Sequence, residues 1–177
     1  MTETATLDGY GSLIEPATLK IQRLLPGTAE RVWAYLTDSD LRCRWLAAGE
    51  MPAAVGGAFA LTWRNDELTD PPGERPEGFG AEHRIESRIL EFEPPRRLAF
   101  TFGGAGEVSF ELEPRGEKVL LTVIHRRLPD RPTSLKVGAG WHAHLDILAA
   151  RLSGSEPEPF WDRWSALKPE YERRIPG

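Results

Sequence analysis

Alternating apolar and polar residues occupy the middle of the chain and predict a run of β-strands. In EHRIESRIL (82–90), His83, Ile85, Ser87 and Ile89 fall on one face and charged residues on the other. The turns between such runs are short, which favours antiparallel neighbours. The same period of two residues recurs in FALTW (59–63), RLAFTF (97–102), EVSFELE (107–113) and KVLLTVIH (118–125).

One strand and two short helices are predicted before this run. TLKIQRLL (18–25) alternates imperfectly and ends at Pro26-Gly27. Thr28 can cap a helix whose apolar positions recur every three to four residues, and Asp38 can cap a second one. Residues 1–17 show no period, so we expect an N-terminal arm that is mobile or loosely docked.

A long amphipathic helix is predicted near the end of the chain, in WHAHLDILAARL (141–152). The glycines just before it, Gly138 and Gly140, are interpreted as a tight turn. GSEPEP (154–159) then predicts a hinge, followed by a last helix that packs on the outside of the domain. The predicted organisation is therefore an arm (1–17), one domain (18–152) and a C-terminal hinge with an extra helix (153–177).

The longest segment without a pattern runs from Arg64 to Gly80 and is rich in proline and glycine. Its length exceeds that of usual connections. It is either a lid or a disordered excursion, and we favour a mobile cover.

Several separated motifs resemble a known family. They are ERVWAYLTDSDLRCRWL, VGGAFAL, ILEFEPPRRLAFTF, a strand ending in His125, and GWHAHLDILAARL. In this order they resemble the bacterial Aha1-like (activator of Hsp90 ATPase homologue) branch of the SRPBCC, or START-like, superfamily. The resemblance implies an α+β helix-grip fold, in which a curved antiparallel sheet of six or seven strands wraps round the long C-terminal helix, with two short helices after strand one. It also implies a cavity between sheet and helix.

Composition and charge exclude several functions. The net charge is −5 and no basic run occurs, so we expect neither nucleic acid nor an anionic membrane as a partner. Cys43 is the single cysteine, and the first residues show no leader or spanning segment. These features predict a cytoplasmic protein and leave its oligomeric state open.

No motif for a cofactor, a metal or a nucleophile stands in its proper context. The run from Gly138 to Ala143 matches a dinucleotide fingerprint but lacks a βαβ unit. His142 and His144 point to different sides of a helix, so they cannot share one ion. His142 and Asp146 are interpreted as a solvated pair. We therefore predict no cofactor, no metal and no catalytic residue.

The predicted function is binding of an apolar or amphipathic small molecule in the cavity that the resemblance implies. His83, His125 and His144 are candidate polar contacts there, or else histidines at the edge of the core. Two alternatives stay open. One is a chaperone-associated role, although the chain has no room for the separate chaperone-binding domain of such activators; the other is a cyclase or hydrolase using the same cavity. The predicted ligand-binding residues are Trp63, His83, Ile85, Ser87, Phe100, Phe102, Phe110, Val123, His125, Trp141, His144, Leu145 and Leu148.

Overall fold

The computed structural model describes residues 9–15, 17–104 and 106–175 of the 177-residue chain. Seven strands in these ranges form one antiparallel sheet in the order β1-β2-β7-β6-β5-β4-β3, and four α-helices accompany it. The strands are β1 (Ser12–Glu15), β2 (Thr18–Pro26), β3 (Ala58–Trp63), β4 (His83–Glu93), β5 (Arg97–Thr101), β6 (Glu107–Arg115) and β7 (Lys118–Arg126). The helices are α1 (Ala29–Thr37), α2 (Ser39–Arg42), α3 (Arg131–Ser153) and α4 (Phe160–Arg174).

The strands follow the period of two residues that predicted them. On β6 and β7, alternate residues are buried, and Phe110 lies opposite Val123 in the ladder. On β6 the intervening residues include Glu111 and Glu113, which are exposed to water. The α+β helix-grip architecture, with a seven-stranded antiparallel sheet and a long C-terminal helix, is confirmed.

The predicted N-terminal arm contains a strand. Ser12 to Glu15 form β1, which pairs with β2 and makes the edge of the sheet. The two short helices consequently follow the second strand rather than the first. Of the predicted arm, residues 1–8 and 16 lie outside the described residues.

The two short helices are capped as predicted, and an arginine closes the turn after them. Thr28 accepts a hydrogen bond from the backbone of Arg31, and Asp38 accepts from Asp40 and Leu41. Arg42, only 1% exposed, donates to backbone carbonyls of the surrounding turn. The carbonyl partners of its guanidinium are Leu36, Thr37, Ala47 and Gly49.

Helix α3 begins at Arg131, so the prediction of a turn at the two glycines was wrong. Asp130 caps the helix by accepting from the backbone N–H of Thr133 at 2.8 Å. Gly138 lies inside α3 beneath the ring of Tyr171, where a Cβ would stand 3.1 Å from Cδ1 of the tyrosine. The glycine serves close helix packing instead of a turn.

The space between α3 and the centre of the sheet is filled with side chains. Trp141 of α3 packs edge-on against Phe110, which in turn packs against Phe100. Leu145 and Leu148 are fully buried in the same layer. Helix α4 lies on α3, and its buried residues Phe160, Trp161, Trp164, Leu167 and Tyr171 extend the core.

Among residues 9–15, 17–104 and 106–175, no helix is both long and apolar enough to cross a bilayer.

Candidate functional site

A cavity of about 400 Å³ lies at one end of the sheet, between the ends of β3 to β5, α3 and α4. Seven aromatic residues form a large part of its wall. Trp63 comes from β3, Phe102 follows β5, and Trp141 comes from α3. Helix α4 supplies Phe160, Trp161 and Trp164, and Phe79 comes from the long loop before β4.

The aromatic side chains hold one another in place by edge-to-face and tilted contacts. Phe102 lies 5.5 Å from Trp63 and 5.9 Å from Trp141, measured between ring centroids. Phe79 lies 5.0 Å from both Trp161 and Trp164. Such contacts stabilise aromatic pairs beyond simple burial, so the wall is preformed.

The first half of the long loop is bound to α4. Pro159, which precedes α4, offers no side-chain cap, so the first N–H groups of the helix need other acceptors. Thr69 Oγ1 accepts from the N–H of Phe160 at 3.0 Å, and the carbonyl of Pro72 accepts from the N–H of Trp161 at 3.0 Å. The prediction of a mobile cover is therefore wrong for residues 65–74, which contain a short 3₁₀ helix (Asn65–Glu67) and connect to α4.

The second half of the loop forms the rim of the cavity. Residues 78–82 line the opening together with His83 and Lys136, and both of those side chains are exposed. The carboxylate of Glu82 pairs with Arg64 at 3.0 Å. The ammonium of Lys136 lies 5.7 Å from the centroid of Phe79. Charge is thus confined to the rim.

His144 is a polar group in the buried part of the wall. Its ring packs 4.7 Å from that of Phe160, and its Nδ1 lies 2.8 Å from the carbonyl oxygen of Trp45. A carbonyl only accepts, so Nδ1 carries the proton and donates. Burial lowers the pKa of His144 to about 4. The ring is therefore neutral near pH 7, with a lone pair on Nε2.

Asn65 is a second polar residue of the wall. Its Oδ1 is buried and has no hydrogen-bond partner among the described residues. Buried polar atoms normally have partners, and leaving one unsatisfied costs about 1 to 3 kcal/mol. Asn65 is therefore a polar residue of the wall whose side-chain oxygen is not used by the described residues.

Five of the predicted ligand-binding residues line this cavity, and the structure places the other eight elsewhere. The five are Trp63, His83, Phe102, Trp141 and His144. His83 is exposed at the rim rather than on a buried face, because it begins β4 beyond the covered part of the sheet. The eight that do not line the cavity are Ile85, Ser87, Phe100, Phe110, Val123, His125, Leu145 and Leu148.

Most of those eight side chains are packed in the core. His125 is fully buried and accepts a hydrogen bond from the indole N–H of Trp141 at 3.1 Å, which makes it a core histidine. Ser87, 5% exposed, has a buried hydroxyl oxygen with no partner in the described part of the chain. Ile85 is half-buried beside Gly103.

His142 and Asp146 form a pair, with 3.8 Å between Nε2 and Oδ1, but it is buried rather than solvated as predicted. The side chain of His142 is 4% exposed, and its Nδ1 lies 2.9 Å from the hydroxyl of Tyr171. Asp146 also bridges Arg23 and Arg163, at 2.8 Å each. Burial raises the pKa of Tyr171 to about 12, so its hydroxyl stays protonated. This polar cluster joins β2, α3 and α4 on the side away from the sheet centre.

Sequence reasoning missed the residues that α4 and the loop contribute. Phe160, Trp161 and Trp164 were assigned to a helix on the outside, although three aromatic residues within five positions are unusual for a surface helix. Phe79 is an aromatic residue in a segment otherwise rich in proline and glycine. Both signals indicate burial, but neither indicates which cavity the side chains line.

Within ranges 9–15, 17–104 and 106–175, no group of three histidine, cysteine or acidic side chains could hold a metal ion.

Solved structures of other proteins share this architecture. The solution structure of the protein encoded by gene BPP1335 from Bordetella parapertussis is 40% identical, with a TM-score of 0.79, and covers 100% of this chain and 97% of that one. The crystal structure of CalU16 from Micromonospora echinospora is 26% identical, with a TM-score of 0.64, over 87% of this chain and 84% of that one. DynU16, a protein in the dynemicin biosynthetic locus, shares the fold at 22% identity and a TM-score of 0.61, over 80% of this chain and 49% of that one.

No curated protein matches the chain. A family model does match, over residues 26–153, which include β3 to β7, α1, α2 and α3. This range covers well over half of the sequence and agrees with the helix-grip fold of the SRPBCC superfamily. The chain belongs to the family described as activator of Hsp90 ATPase homolog 1-like proteins.

Proposed function

We propose that the protein binds an apolar or amphipathic small molecule in the cavity between β3, α3 and α4. The observation that carries the proposal is the aromatic wall around about 400 Å³ of space. Sites for small molecules are concave, mostly apolar and largely preformed, with volumes of about 300 to 1,000 Å³. A few polar groups set the orientation of the ligand in such sites. His144 and Asn65 are groups of this kind.

The protonation state of His144 favours a role in ligand binding over a role in acid–base catalysis. A general acid or base works best when its pKa lies near the working pH. The pKa of His144 is lowered to about 4, and its Nδ1–H is already donated to Trp45. A neutral imidazole in this position offers a hydrogen bond to a ligand rather than a proton to a reaction.

Gly140 provides a way to block the cavity without disturbing the core. It lies inside α3, lines the cavity, and a Cβ built on it meets nothing within 4 Å. Gly140→Phe should therefore place a ring in the empty space, whereas Gly140→Ala adds a single methyl group and serves as the matched control. Both substitutions favour the helix, because glycine is a poor helix former.

The test is titration of both variants and the wild type with N-phenyl-1-naphthylamine, an uncharged fluorescent probe. We expect saturable binding to the wild type and to Gly140→Ala, and a loss of at least tenfold in affinity for Gly140→Phe. Circular dichroism and thermal unfolding of each variant confirm that the fold persists. If Gly140→Phe does not fold, Gly140→Leu takes its place, because it fills less of the cavity.

The two alternative functions predict different results for the same variants. A protein that acts only on a chaperone would show no saturable probe binding, and its effect on Hsp90 ATPase activity would be equal in Gly140→Ala and Gly140→Phe. An enzyme of the cyclase or hydrolase type would turn over a substrate with a pH–rate profile that depends on a group in the wall. Probe binding that is equal in all three proteins would contradict the proposal.

A further inference from the structure

The cavity wall offers hydrogen-bond acceptors to a ligand. Nε2 of His144 has a lone pair, because Nδ1–H is donated to Trp45. Oδ1 of Asn65 is buried and without a partner among the described residues. Two indole N–H groups of the wall are already used away from the cavity: Trp141 donates to His125, and Trp161 donates to Asp66 at 2.7 Å.

Charged ligands fit this wall poorly. The charged side chains that line the cavity, Lys136 and Glu82, are exposed at the rim, and Glu82 is paired with Arg64. An anionic group in the interior would face the lone pair of His144. A cationic group would meet no carboxylate there, and Lys136 lies beside Phe79 at the entrance. Burying an unpaired charge is costly, so an uncharged ligand is favoured.

We propose that the ligand is an uncharged aromatic molecule with a hydroxyl or N–H group, which donates to Nε2 of His144 or to Oδ1 of Asn65. The aromatic surface of the ligand stacks against Trp63, Phe102 and Trp164. This inference rests on the proposed function and names the class of ligand that the cavity takes.

Three naphthalene compounds of similar size test the inference: naphthalene, 2-naphthol and 2-naphthoate. Binding is followed by quenching of tryptophan fluorescence and by calorimetry. We expect 2-naphthol to bind about tenfold more tightly than naphthalene, as one buried hydrogen bond allows. The carboxylate should bind more weakly than either.

Substitution of His144 by asparagine removes Nε2 and keeps a donor near the position of Nδ1. We expect His144→Asn to bind naphthalene as the wild type does and to lose most of its preference for 2-naphthol. The control is Arg96→Met, at an exposed residue that does not line the cavity, which should keep the full preference. If His144→Asn does not fold, the test rests on Asn65.

Asn65→Leu separates a role in binding from a role in stability. If the amide served the fold, its loss would lower the free energy of unfolding. Since Oδ1 has no partner among the described residues, we expect an unchanged or higher free energy of unfolding and a weaker preference for 2-naphthol.

The outcomes distinguish this inference from the proposed function. Failure of all three compounds to bind would overturn the proposed function and the inference with it. Equal binding of naphthalene and 2-naphthol would overturn the inference and leave the proposed function standing. Tightest binding of 2-naphthoate, or a preference for 2-naphthol that persists in both His144→Asn and Asn65→Leu, would also overturn the inference.

Discussion

Trp141 on α3 donates its indole N–H to Nδ1 of His125 on β7 at 3.1 Å, which joins the long helix to the sheet by a buried hydrogen bond. The two residues are 3% and 0% exposed. The indole ring therefore fills the space that a central cavity would need. The remaining space lies toward the end of the sheet, where α4 and the long loop enclose it.

Trp141→Phe tests this relationship. The change removes the donor to His125 and part of a buried ring, so we expect a loss of about 2 to 4 kcal/mol in the free energy of unfolding. Urea unfolding measures it. Trp33→Phe is the control. Because Trp33 is only half-buried against Phe92, this substitution should lower the free energy of unfolding by less. Equal losses would contradict the central position of Trp141.

The same substitution at two glycines of α3 should have opposite effects. At Gly140 a Cβ meets nothing, so Gly140→Ala should raise stability by up to about 1 kcal/mol through helix propensity. At Gly138 a Cβ would press on the ring of Tyr171, which is held by the N–H of Gly11 and by His142. Gly138→Ala should therefore lower the melting temperature. A rise in both variants would show that α4 can move away from α3.

Arg42 should be essential to the turn after α2. Its buried guanidinium donates to backbone carbonyls that include those of Leu36 and Ala47. Arg42→Met keeps the apolar stem and removes these donors, which should cost about 2 kcal/mol or more. The exposed Arg96 provides the control, since Arg96→Met should change stability by less than about 0.5 kcal/mol. Chemical denaturation of both variants compares them, and similar values would contradict this role.

Because His144 is buried and neutral, we expect the protein to lose stability in mild acid. Its pKa is lowered to about 4 in the folded protein, because burial disfavours the charged ring, against an ordinary value of 6.5. Between these pH values the unfolded chain binds a proton that the native protein does not bind, so stability falls as pH falls. The contribution is about 3 kcal/mol, from 1.36 kcal/mol for each pH unit. In His144→Asn, the difference in unfolding free energy between pH 7 and pH 4 should be smaller by that amount; an unchanged difference would contradict the buried, neutral state.

Periodicity predicted most elements correctly because strands with one buried face must alternate. The strands β3 to β7 follow this rule, and the apolar stripe of α4 follows the helical period of three to four residues. Strand β1 was missed because four residues are too few to show a period. The start of α3 was misplaced because Gly138 and Gly140 suggest a turn, whereas the packing of Tyr171 against the helix requires a small residue there.

The cavity lies away from most of the predicted ligand-binding residues for a physical reason. The pattern identifies which residues face inward, but it does not show whether facing side chains fill the space between them. This space is filled by Phe100, Phe110 and Trp141. Inward-facing residues such as Val123 and Leu145 therefore belong to the packed core. The cavity depends on residues distant in sequence, such as Phe79 and Trp161, which local patterns cannot bring together.

The most direct test of the central claim uses the indole N–H resonances of the six tryptophans. Trp63, Trp141, Trp161 and Trp164 line the cavity, whereas Trp33 and Trp45 do not. A ¹H–¹⁵N spectrum recorded during titration with 2-naphthol should show shifts of the first four resonances that saturate with one binding constant, and little change in the other two. Saturable shifts confined to Trp33 and Trp45, or no saturable shift at all, would contradict the account.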